Sequence, residues 1–269
     1  VLDSVTNVED ATKDGAPILL EDLVGDHIGK KVKNTNIASI TRHEFGDPDK
    51  AFNDAEHVVE RTFTLQMVHQ GYIEPHNATA VWDEEDRIKI WTSTQGAFPV
   101  RTSTAAILDM DVSRVKVTPL EIGGGFGGKI PIYLEPIVAT LSKKTGRPVK
   151  AIMERSNVFQ ASGPAPGGTI TVKMGTDKNG KLIAADTSIK LEAGGFPGAA
   201  VGAAVQCIFA PYDIPNTRID GYDIVVNKPK SAAYRAPGSP QAAFATETVV
   251  NELAELHGMD RVEFRQINA

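Results

Sequence analysis

The feature that most constrains this chain is a glycine-rich stretch at residues 121–129, in which five of nine residues are glycine. It follows a predicted strand at residues 115–120 and precedes a predicted helix at residues 131–144, which Pro131 opens. A glycine-rich turn at this place leaves backbone N–H groups bare beside a helix N-terminus, where the helix dipole adds positive potential. The stretch therefore predicts a site for an anion.

Nucleotide-binding motifs also fit this stretch. Gly123-x-Gly125-x-x-Gly128 matches the dinucleotide fingerprint, with Glu154 at the end of the next predicted strand as candidate ribose partner. A Walker A loop fits as well, except at Ile130, where a Ser or Thr would be needed to hold Mg²⁺. An NTPase is therefore not predicted. A turn that only packs a helix on a strand is the remaining interpretation.

Composition narrows the possible partners and metal sites. A net charge of −6 argues against nucleic acid or an anionic membrane surface as a general partner. Cys207 is the one cysteine, which excludes internal disulfides and cysteine-ligated zinc or iron–sulfur clusters within this chain. His69 and His76 flank Glu74, but no third ligand follows at a suitable spacing, so zinc is not predicted. No run approaches the ~18 apolar residues of a membrane span.

The hydrophobic pattern predicts an α+β fold with mixed sheets. Two β-hairpins are predicted, at residues 78–92 and 169–191, each around a turn of acidic, Asn or Gly residues. Residues 115–154 predict a strand, the glycine-rich loop, a helix and a parallel strand, which together form a βαβ-like unit. A long helix is predicted at residues 239–257, and Gly258 stops it.

Five short motifs lie in order along nearly the whole chain. They are Gln70-Gly-Tyr-Ile-Glu-Pro-His76, Ser93-Thr94-Gln95, Gly-Gly-Gly-Phe-Gly-Gly-Lys at residues 123–129, Ala-Tyr-Arg-Ala-Pro-Gly-Ser-Pro-Gln at residues 233–241 and Met-Asp-Arg-Val-Glu-Phe-Arg at residues 259–265. Together they resemble the large subunit of the molybdenum hydroxylases, the family of xanthine dehydrogenase, aldehyde oxidase and carbon monoxide dehydrogenase. The resemblance is to the first molybdopterin-binding domain of that subunit.

The resemblance implies six cofactor-binding residues and no direct ligand of the metal. They are Gln95, Gly125, Phe126, Gly127, Arg235 and Gln241. In the family, backbone amides of the glycine loop face the oxygen ligands of molybdenum and the pterin dithiolene. Gln95 matches a glutamine whose amide donates to an oxygen ligand of the metal, Arg235 an arginine beside the cofactor, and Gln241 a position near the pterin.

Departures from the family pattern bear on the substrate. Carbon monoxide oxidisers carry a copper-binding cysteine where this chain has Ala236, and purine oxidisers carry a glutamate where it has Ile130. The substrate arginine of purine oxidisers is also missing, because no arginine lies between Arg155 and Arg218. An aldehyde or an N-heterocycle is therefore the expected substrate.

The resemblance also implies what lies around this piece. Residues 1–56 would be an extended connector from a missing N-terminal domain, and residues 57–269 the first molybdopterin-binding domain, with a possible subdomain break near residues 160–168. The general-base glutamate of the family would lie in the absent C-terminal half of the large subunit. No catalytic residue is therefore expected here, and the isolated chain is expected to be inactive.

The implied partners are the C-terminal half of the large subunit, an iron–sulfur subunit, an FAD subunit and a small-molecule substrate. The pterin is expected in its cytosine dinucleotide form, and the location is expected to be cytoplasmic. Two alternatives remain: a non-catalytic cofactor-binding or assembly module, and a nucleotide-binding oxidoreductase that uses the Gly123-x-Gly125-x-x-Gly128 loop.

Overall fold

A computed structural model describes residues 4–269 and divides them into two compact units. The first unit holds the chain up to Val68 together with Pro166–Ser231 and Ala236–Ala269. The second unit holds His69–Ala165 and Ala232–Arg235. The chain thus leaves the first unit, builds most of the second and returns at Pro166, inside the stretch where the sequence indicates a break.

The described residues form helices and strands in both units. In chain order the strands are β1 (Gly25–His27), β2 (Lys30–Val32), β3 (Ile37–Phe45), β4 (His57–Leu65), β5 (Asn77–Trp82), β6 (Ile88–Thr92), β7 (Val115–Pro119), β8 (Val149–Ile152), β9 (Gly168–Thr176), β10 (Leu182–Gly194) and β11 (Thr217–Val225). The α-helices are α1 (Val8–Thr12), α2 (Pro48–Asn53), α3 (Ala97–Ile107), α4 (Glu135–Thr145), α5 (Arg155–Ala161), α6 (Val201–Cys207), α7 (Ser239–Leu256) and α8 (Arg261–Asn268). The predicted α+β class is confirmed.

The first unit is built on a seven-stranded mixed sheet in the order β2-β1-β3-β11-β10-β9-β4. Strands β9 and β10 form the predicted antiparallel hairpin, whereas β10 and β11 are parallel. Alternate residues of β9, such as Ile170 and Val172, are fully buried and pack in one core with α7 residues such as Val249 and Leu253. The sheet and the apolar side of α7 therefore stabilise each other through burial.

The described part of residues 1–56 is not an extended connector. Its strands β1, β2 and β3 belong to the seven-stranded sheet, and β3 pairs with β11 from Phe45↔Thr217 to Ile37↔Ile224. The residues of β3 are half-buried or exposed, with no clear buried face. Because β3 has no clear buried face, its sequence does not alternate between hydrophobic and polar residues, and hydrophobic periodicity does not predict the strand.

The second unit is built on a four-stranded sheet in the order β7-β6-β5-β8. Strands β5 and β6 form the predicted hairpin, and α3 and α4 contribute residues such as Ala105 and Val138 to a core with Ala80 and Ile90. Because β6 is parallel to β7 while β5 is antiparallel to both β6 and β8, strands β7 and β8 run in the same direction. The predicted βαβ-like unit therefore exists, with its two strands at opposite edges of the sheet.

The predicted start of the helix at Pro131 is wrong. Helix α4 begins at Glu135, with Pro136 in its first turn, and the Glu135 carboxylate accepts a hydrogen bond from the backbone N–H of Tyr133 at 3.0 Å. The proline that opens the helix is thus Pro136, so irregular chain separates the glycine-rich stretch from the helix N-terminus. No described helix is long and apolar enough to cross a membrane.

Candidate functional site

The glycine-rich stretch forms an irregular loop between β7 and α4, in a conformation that ordinary residues avoid. Gly124 and Gly127 have φ angles of +90° and +104°. Phe126 also lies in the left-handed region, at +51°, which is unusual for a residue with a side chain. Such a conformation costs of order 1–3 kcal/mol and persists only where surrounding contacts maintain it.

Two side chains from elsewhere in the second unit hold the loop through its backbone. Gly123 donates its N–H to Glu74 Oε2 at 2.7 Å, and Gly127 donates to Gln95 Oε1 at 2.7 Å. The N–H of Lys129 reaches the same Gln95 oxygen at 3.3 Å. These N–H groups are therefore already satisfied inside the protein.

The N–H groups between these two anchors are free. Gly124, Gly125 and Phe126 donate no backbone hydrogen bond to any residue of the part of the chain that the structure describes. Gly125 is buried, whereas the side chain of Phe126 is exposed. Adjacent N–H groups without partners, held in a loop of left-handed and glycine residues, suit an anionic acceptor.

Gln95 presents its amide nitrogen because its oxygen is occupied. The residue follows β6 and is exposed, and its Nε2 donates no hydrogen bond within residues 4–269. The oxygen lies so close to the loop that a Cβ added at Gly125 would stand 2.5 Å from it. A glycine at position 125 is therefore what allows the Gln95 amide to lie against the loop.

An ion pair joins Glu74 to Lys129 beneath the same loop. The Lys129 side chain is fully buried, and its Nζ donates to Glu74 Oε2 at 2.7 Å and to Ser93 Oγ at 2.8 Å. Burial raises the pKa of Glu74, but hydrogen bonds from Lys129, Ser93 and Gly123 outweigh it and lower that pKa to about 2. Burial also lowers the pKa of Lys129, and the neighbouring carboxylate opposes that change. Glu74 is therefore ionised at neutral pH, and the 2.7 Å contact with Lys129 Nζ is an ion pair.

His69 and His76, the histidines that flank Glu74, are engaged in hydrogen bonds. Ser162 Oγ donates to Val158 O, so it accepts at 2.8 Å from His69 Nε2, whose Nδ1 in turn accepts the N–H of Gly71. The buried Tyr72 hydroxyl lies 2.6 Å from His76 Nε2.

Burial lowers the pKa of His76 to about 4, so its ring is neutral at pH 7 and shares one hydrogen bond with the Tyr72 hydroxyl through Nε2. Among the described residues, no group of three or more His, Cys, Asp or Glu side chains is placed to hold a metal ion. Both histidines are explained by these local contacts.

Arg235 is brought to the glycine loop through its backbone. Its N–H donates to Phe126 O at 2.9 Å, and a Cβ added at Gly127 would stand 2.5 Å from Ala233 O. The Arg235 side chain is exposed and makes no hydrogen bond or ion pair with another described residue. The structure thus brings the Gln95 side chain and the Arg235 backbone to the loop that carries Phe126.

The glycine loop and its neighbours present several hydrogen-bond donors, which suit an anion. They offer the free N–H groups of residues 124–126, the Gln95 amide nitrogen and the Arg235 guanidinium, all of which are donors. Glu74, the carboxylate that contacts the loop, is paired with Lys129. Donors of this kind stabilise negative charge on oxygen, whether of a ligand or of a reacting group.

Comparison with known proteins identifies the family. Residues 28–269 match the family described as molybdopterin cofactor-binding domain. The chain belongs to this family. The resemblance based on the five motifs is thereby confirmed.

Individual relatives of this molybdopterin cofactor-binding domain are larger proteins. The nicotinate dehydrogenase large molybdopterin subunit of Eubacterium barkeri is 32% identical over 240 residues, which cover 88% of this chain and 56% of that protein. The aldehyde oxidoreductase molybdenum-binding subunit PaoC of Escherichia coli is 33% identical over 224 residues, which cover 83% of this chain and 30% of that protein. The chain therefore spans about half the length of the first relative and about a third of the second.

A solved structure shows the same fold. The reconstituted CO dehydrogenase from Oligotropha carboxidovorans superimposes on the whole of this chain with a TM-score of 0.88 and 26% identity, and the match covers 35% of that chain. The molybdopterin-binding domain described here is thus similar to a part of that enzyme.

The residues of the domain fit an anionic pterin cofactor, with one change to the predicted set. Gly125 and Phe126 have free N–H groups, but the N–H of Gly127 is used by Gln95. Gly127 therefore serves to orient Gln95. Gln241 lies in α7, in the first unit, and its buried Oε1 has no hydrogen-bond partner within the described chain.

The nucleotide-binding alternative is not favoured. A dinucleotide fingerprint requires the glycine loop to run directly into a helix whose N-terminus faces the pyrophosphate, but α4 begins only at Glu135. The candidate ribose partner Glu154 follows β8, which lies at the other edge of the sheet from β7. The loop therefore lacks the geometry of that motif.

Sequence reasoning missed two residues that shape the site. Glu74 and Lys129 form an ion pair that contacts the glycine loop, and the motifs assign no function to either residue. No local sequence signal finds them, since the burial of Lys129, which makes a carboxylate partner necessary, is visible only in the structure.

Proposed function

We propose that this chain forms the molybdopterin-binding part of a molybdenum hydroxylase that oxidises an aldehyde or an N-heterocycle, with water as the source of oxygen. The observation that supports this most directly is the run of free N–H groups at residues 124–126, beside the Gln95 amide whose oxygen is tied to the loop. The bound cofactor supplies the metal chemistry and accepts the electrons of the reaction.

The residues of the loop have separate tasks in this proposal. The N–H groups of Gly125 and Phe126 hold anionic oxygen atoms of the cofactor, and Gln95 Nε2 donates one further hydrogen bond. Arg235 adds a positive charge that forms no ion pair with a carboxylate of residues 4–269. The ring of Phe126, 47% exposed, supplies an apolar wall that keeps water from these contacts.

The proposed substrate class rests on the relatives and on two departures in sequence. The relatives are named for nicotinate, which is an N-heterocycle, and for an aldehyde. Ala236 replaces the cysteine expected of a carbon monoxide oxidiser, and Ile130 the glutamate expected of a purine oxidiser. Because both polar side chains are replaced, the proposed substrate pocket is less polar than the site of a purine oxidiser.

The proposal extends to parts outside this chain. We propose the cytosine dinucleotide form of the cofactor, a general-base glutamate in the rest of the large subunit, and iron–sulfur clusters and FAD on partner domains or subunits. The whole complex is proposed to be cytoplasmic. The relatives support a larger assembly, because this chain spans only 56% and 30% of their lengths.

The test is a matched pair of variants in the complex that contains this chain, purified from a host that makes molybdopterin. Gln95→Leu removes the amide donor, whereas Gln266→Leu makes the same change at an exposed position of α8. We expect Gln95→Leu alone to lower molybdenum and pterin per complex, or the rate of dye reduction with aldehydes and N-heterocycles. A wild-type complex without molybdenum and pterin, or equal loss in both variants, would contradict the proposal.

The isolated chain is expected to fold but to be inactive. The rest of the large subunit would supply part of the binding free energy for the cofactor, and each ~1.4 kcal/mol that is absent weakens binding tenfold. Absence of a general base costs roughly 10²–10⁴-fold in rate. Molybdenum per chain and aldehyde-dependent dye reduction test this directly. Near-stoichiometric metal with turnover would show that this chain is sufficient by itself.

A further inference from the structure

One carboxylate holds both ends of the glycine loop. Glu74 Oε2 accepts from the N–H of Gly123 at 2.7 Å and from Lys129 Nζ at 2.7 Å, and these two residues bracket the free N–H groups of residues 124–126. The contact is also made by the backbone, since the Glu74 N–H donates to Gly123 O at 3.1 Å. A side chain at position 123 is excluded, because its Cβ would lie 2.6 Å from Glu74 Cβ.

The remaining contacts of Glu74 fix its orientation. Oε2 also accepts from Ser93 Oγ at 2.7 Å, and Oε1 accepts from Asn77 Nδ2 at 3.0 Å. Ser93 itself accepts from Lys129 Nζ at 2.8 Å. The carboxylate is therefore held from four directions, which makes it a rigid support for a loop in a costly conformation.

The charge of the pair also matters for the proposed ligand. An unpaired carboxylate below the loop would repel an anionic cofactor, and an unpaired buried lysine would carry a large desolvation cost. Together, Glu74 and Lys129 supply strong hydrogen bonds without a net charge. The pair is therefore compatible with an anion at the free N–H groups of residues 124–126.

We propose that Glu74 and Lys129 are positioning residues for the cofactor site, which keep the glycine loop preorganised before the cofactor arrives. This inference rests on the proposed function, since it concerns the same loop. Neither residue touches the cofactor in this proposal. They act through Gly123 and the backbone at residue 129, so that the free N–H groups need not be ordered when the cofactor binds.

The alternative is that the pair only stabilises the fold. Three variants separate the two roles: Glu74→Gln, Lys129→Met and the double variant, in the complex that contains this chain. The single variants leave a buried charge without its partner, whereas the double variant removes both charges. Glu135→Gln is the matched control, because Glu135 is a buried carboxylate of the same unit that accepts from Thr92 and Tyr133 and not from the loop.

Three quantities are measured for each variant: the melting temperature, the half-time for loss of molybdenum and pterin after dilution, and hydrogen exchange of peptides covering residues 120–130 in cofactor-free complex. We expect the double variant to have the same melting temperature as the Glu135→Gln control, unlike the two single variants. We expect it still to lose cofactor about tenfold faster or more, since the hydrogen bond from Lys129 is gone and a neutral amide holds the Gly123 N–H less strongly than a carboxylate does. Its loop amides should exchange faster than those of the control.

The outcomes distinguish this inference from the function on which it rests. A wild-type complex that holds no molybdopterin overturns both. A wild-type complex that holds it, with a double variant that matches the control in retention and in exchange of residues 120–130, overturns the positioning role alone. If both single variants fail to fold, the double variant still decides, because no buried charge is left unpaired in it.

Discussion

Replacement of Gly125 by alanine is the most direct perturbation of the site, because it adds one methyl group where the Gln95 amide lies. The new Cβ would stand 2.5 Å from Gln95 Oε1 and 2.9 Å from its Cδ, closer than real Cβ atoms come. Gly125 is not among the residues with positive φ, so the backbone itself tolerates alanine. The Gln95 side chain must therefore move away.

The magnitude follows from the hydrogen bonds that the movement breaks. Gln95 Oε1 accepts the N–H groups of Gly127 at 2.7 Å and Lys129 at 3.3 Å, and both residues are buried. A buried donor left without a partner costs about 1–3 kcal/mol, and the longer bond contributes less. We expect Gly125→Ala to lower the free energy of unfolding by about 2 kcal/mol.

The assay is urea denaturation of the purified chain, arranged as a double-mutant cycle with Gln95→Ala. In the Gln95→Ala background the added methyl group meets no carboxamide, so Gly125→Ala should cost ~0.5 kcal/mol or less, which gives a coupling of about 1–2 kcal/mol. Gly202→Ala in α6 is the control, since a Cβ there meets nothing within 4 Å. Equal costs of Gly125→Ala in both backgrounds would refute the contact.

Three further predictions concern the loop, a buried histidine and a helix cap. A Cβ added at Gly127, which has a φ of +104°, would meet the Ala233 backbone at 2.5 Å, whereas a Cβ at Gly146, at +66°, meets nothing within 4 Å. In urea denaturation, Gly127→Ala should lower the free energy of unfolding by roughly 2–4 kcal/mol and Gly146→Ala by about 1 kcal/mol. Because burial lowers the pKa of His76 to about 4 from an ordinary 6.5, its neutral form favours the fold: stability should fall as pH drops from 6.5 towards 4, and its imidazole NMR signals should titrate near pH 4. Titration of His76 near pH 6.5 in the folded chain would contradict its burial. Asp260→Ala removes the acceptor of Val262 N–H at 2.8 Å and should cost about 1 kcal/mol by urea denaturation, whereas Asp260→Asn should cost less.

Elements with strong local signals are predictable from the sequence. The hairpins β5–β6 and β9–β10 follow from alternating hydrophobic residues around polar turns, and the helix predicted at residues 239–257 is found as α7 at Ser239–Leu256. These signals are local, since a turn sequence, a period of two or a helix stop can be read within a few residues.

Elements whose stability comes from distant partners are not predictable in this way. Strands β1 to β3 lie in a polar segment, and their place becomes visible only when β3 pairs with β11, more than 170 residues away. The start of α4 at Glu135 is likewise set by tertiary contacts, since the Glu135 carboxylate also accepts from Thr92 of the neighbouring sheet at 2.7 Å. Two prolines compete for the start of the helix, and local propensity does not choose between them.

For the site, the sequence by itself determined the chemistry: a loop of glycines that can expose N–H groups, with Gln95 and Arg235 in motifs expected beside it. Only the tertiary structure decided which of those N–H groups are free. Gly127 is occupied by Gln95, 32 residues away, and Gly123 by Glu74, 49 residues away. Hydrogen-bond partners so far apart leave no pattern in the local sequence, because they are brought together by the packing of strands and loops and not by the chain between them.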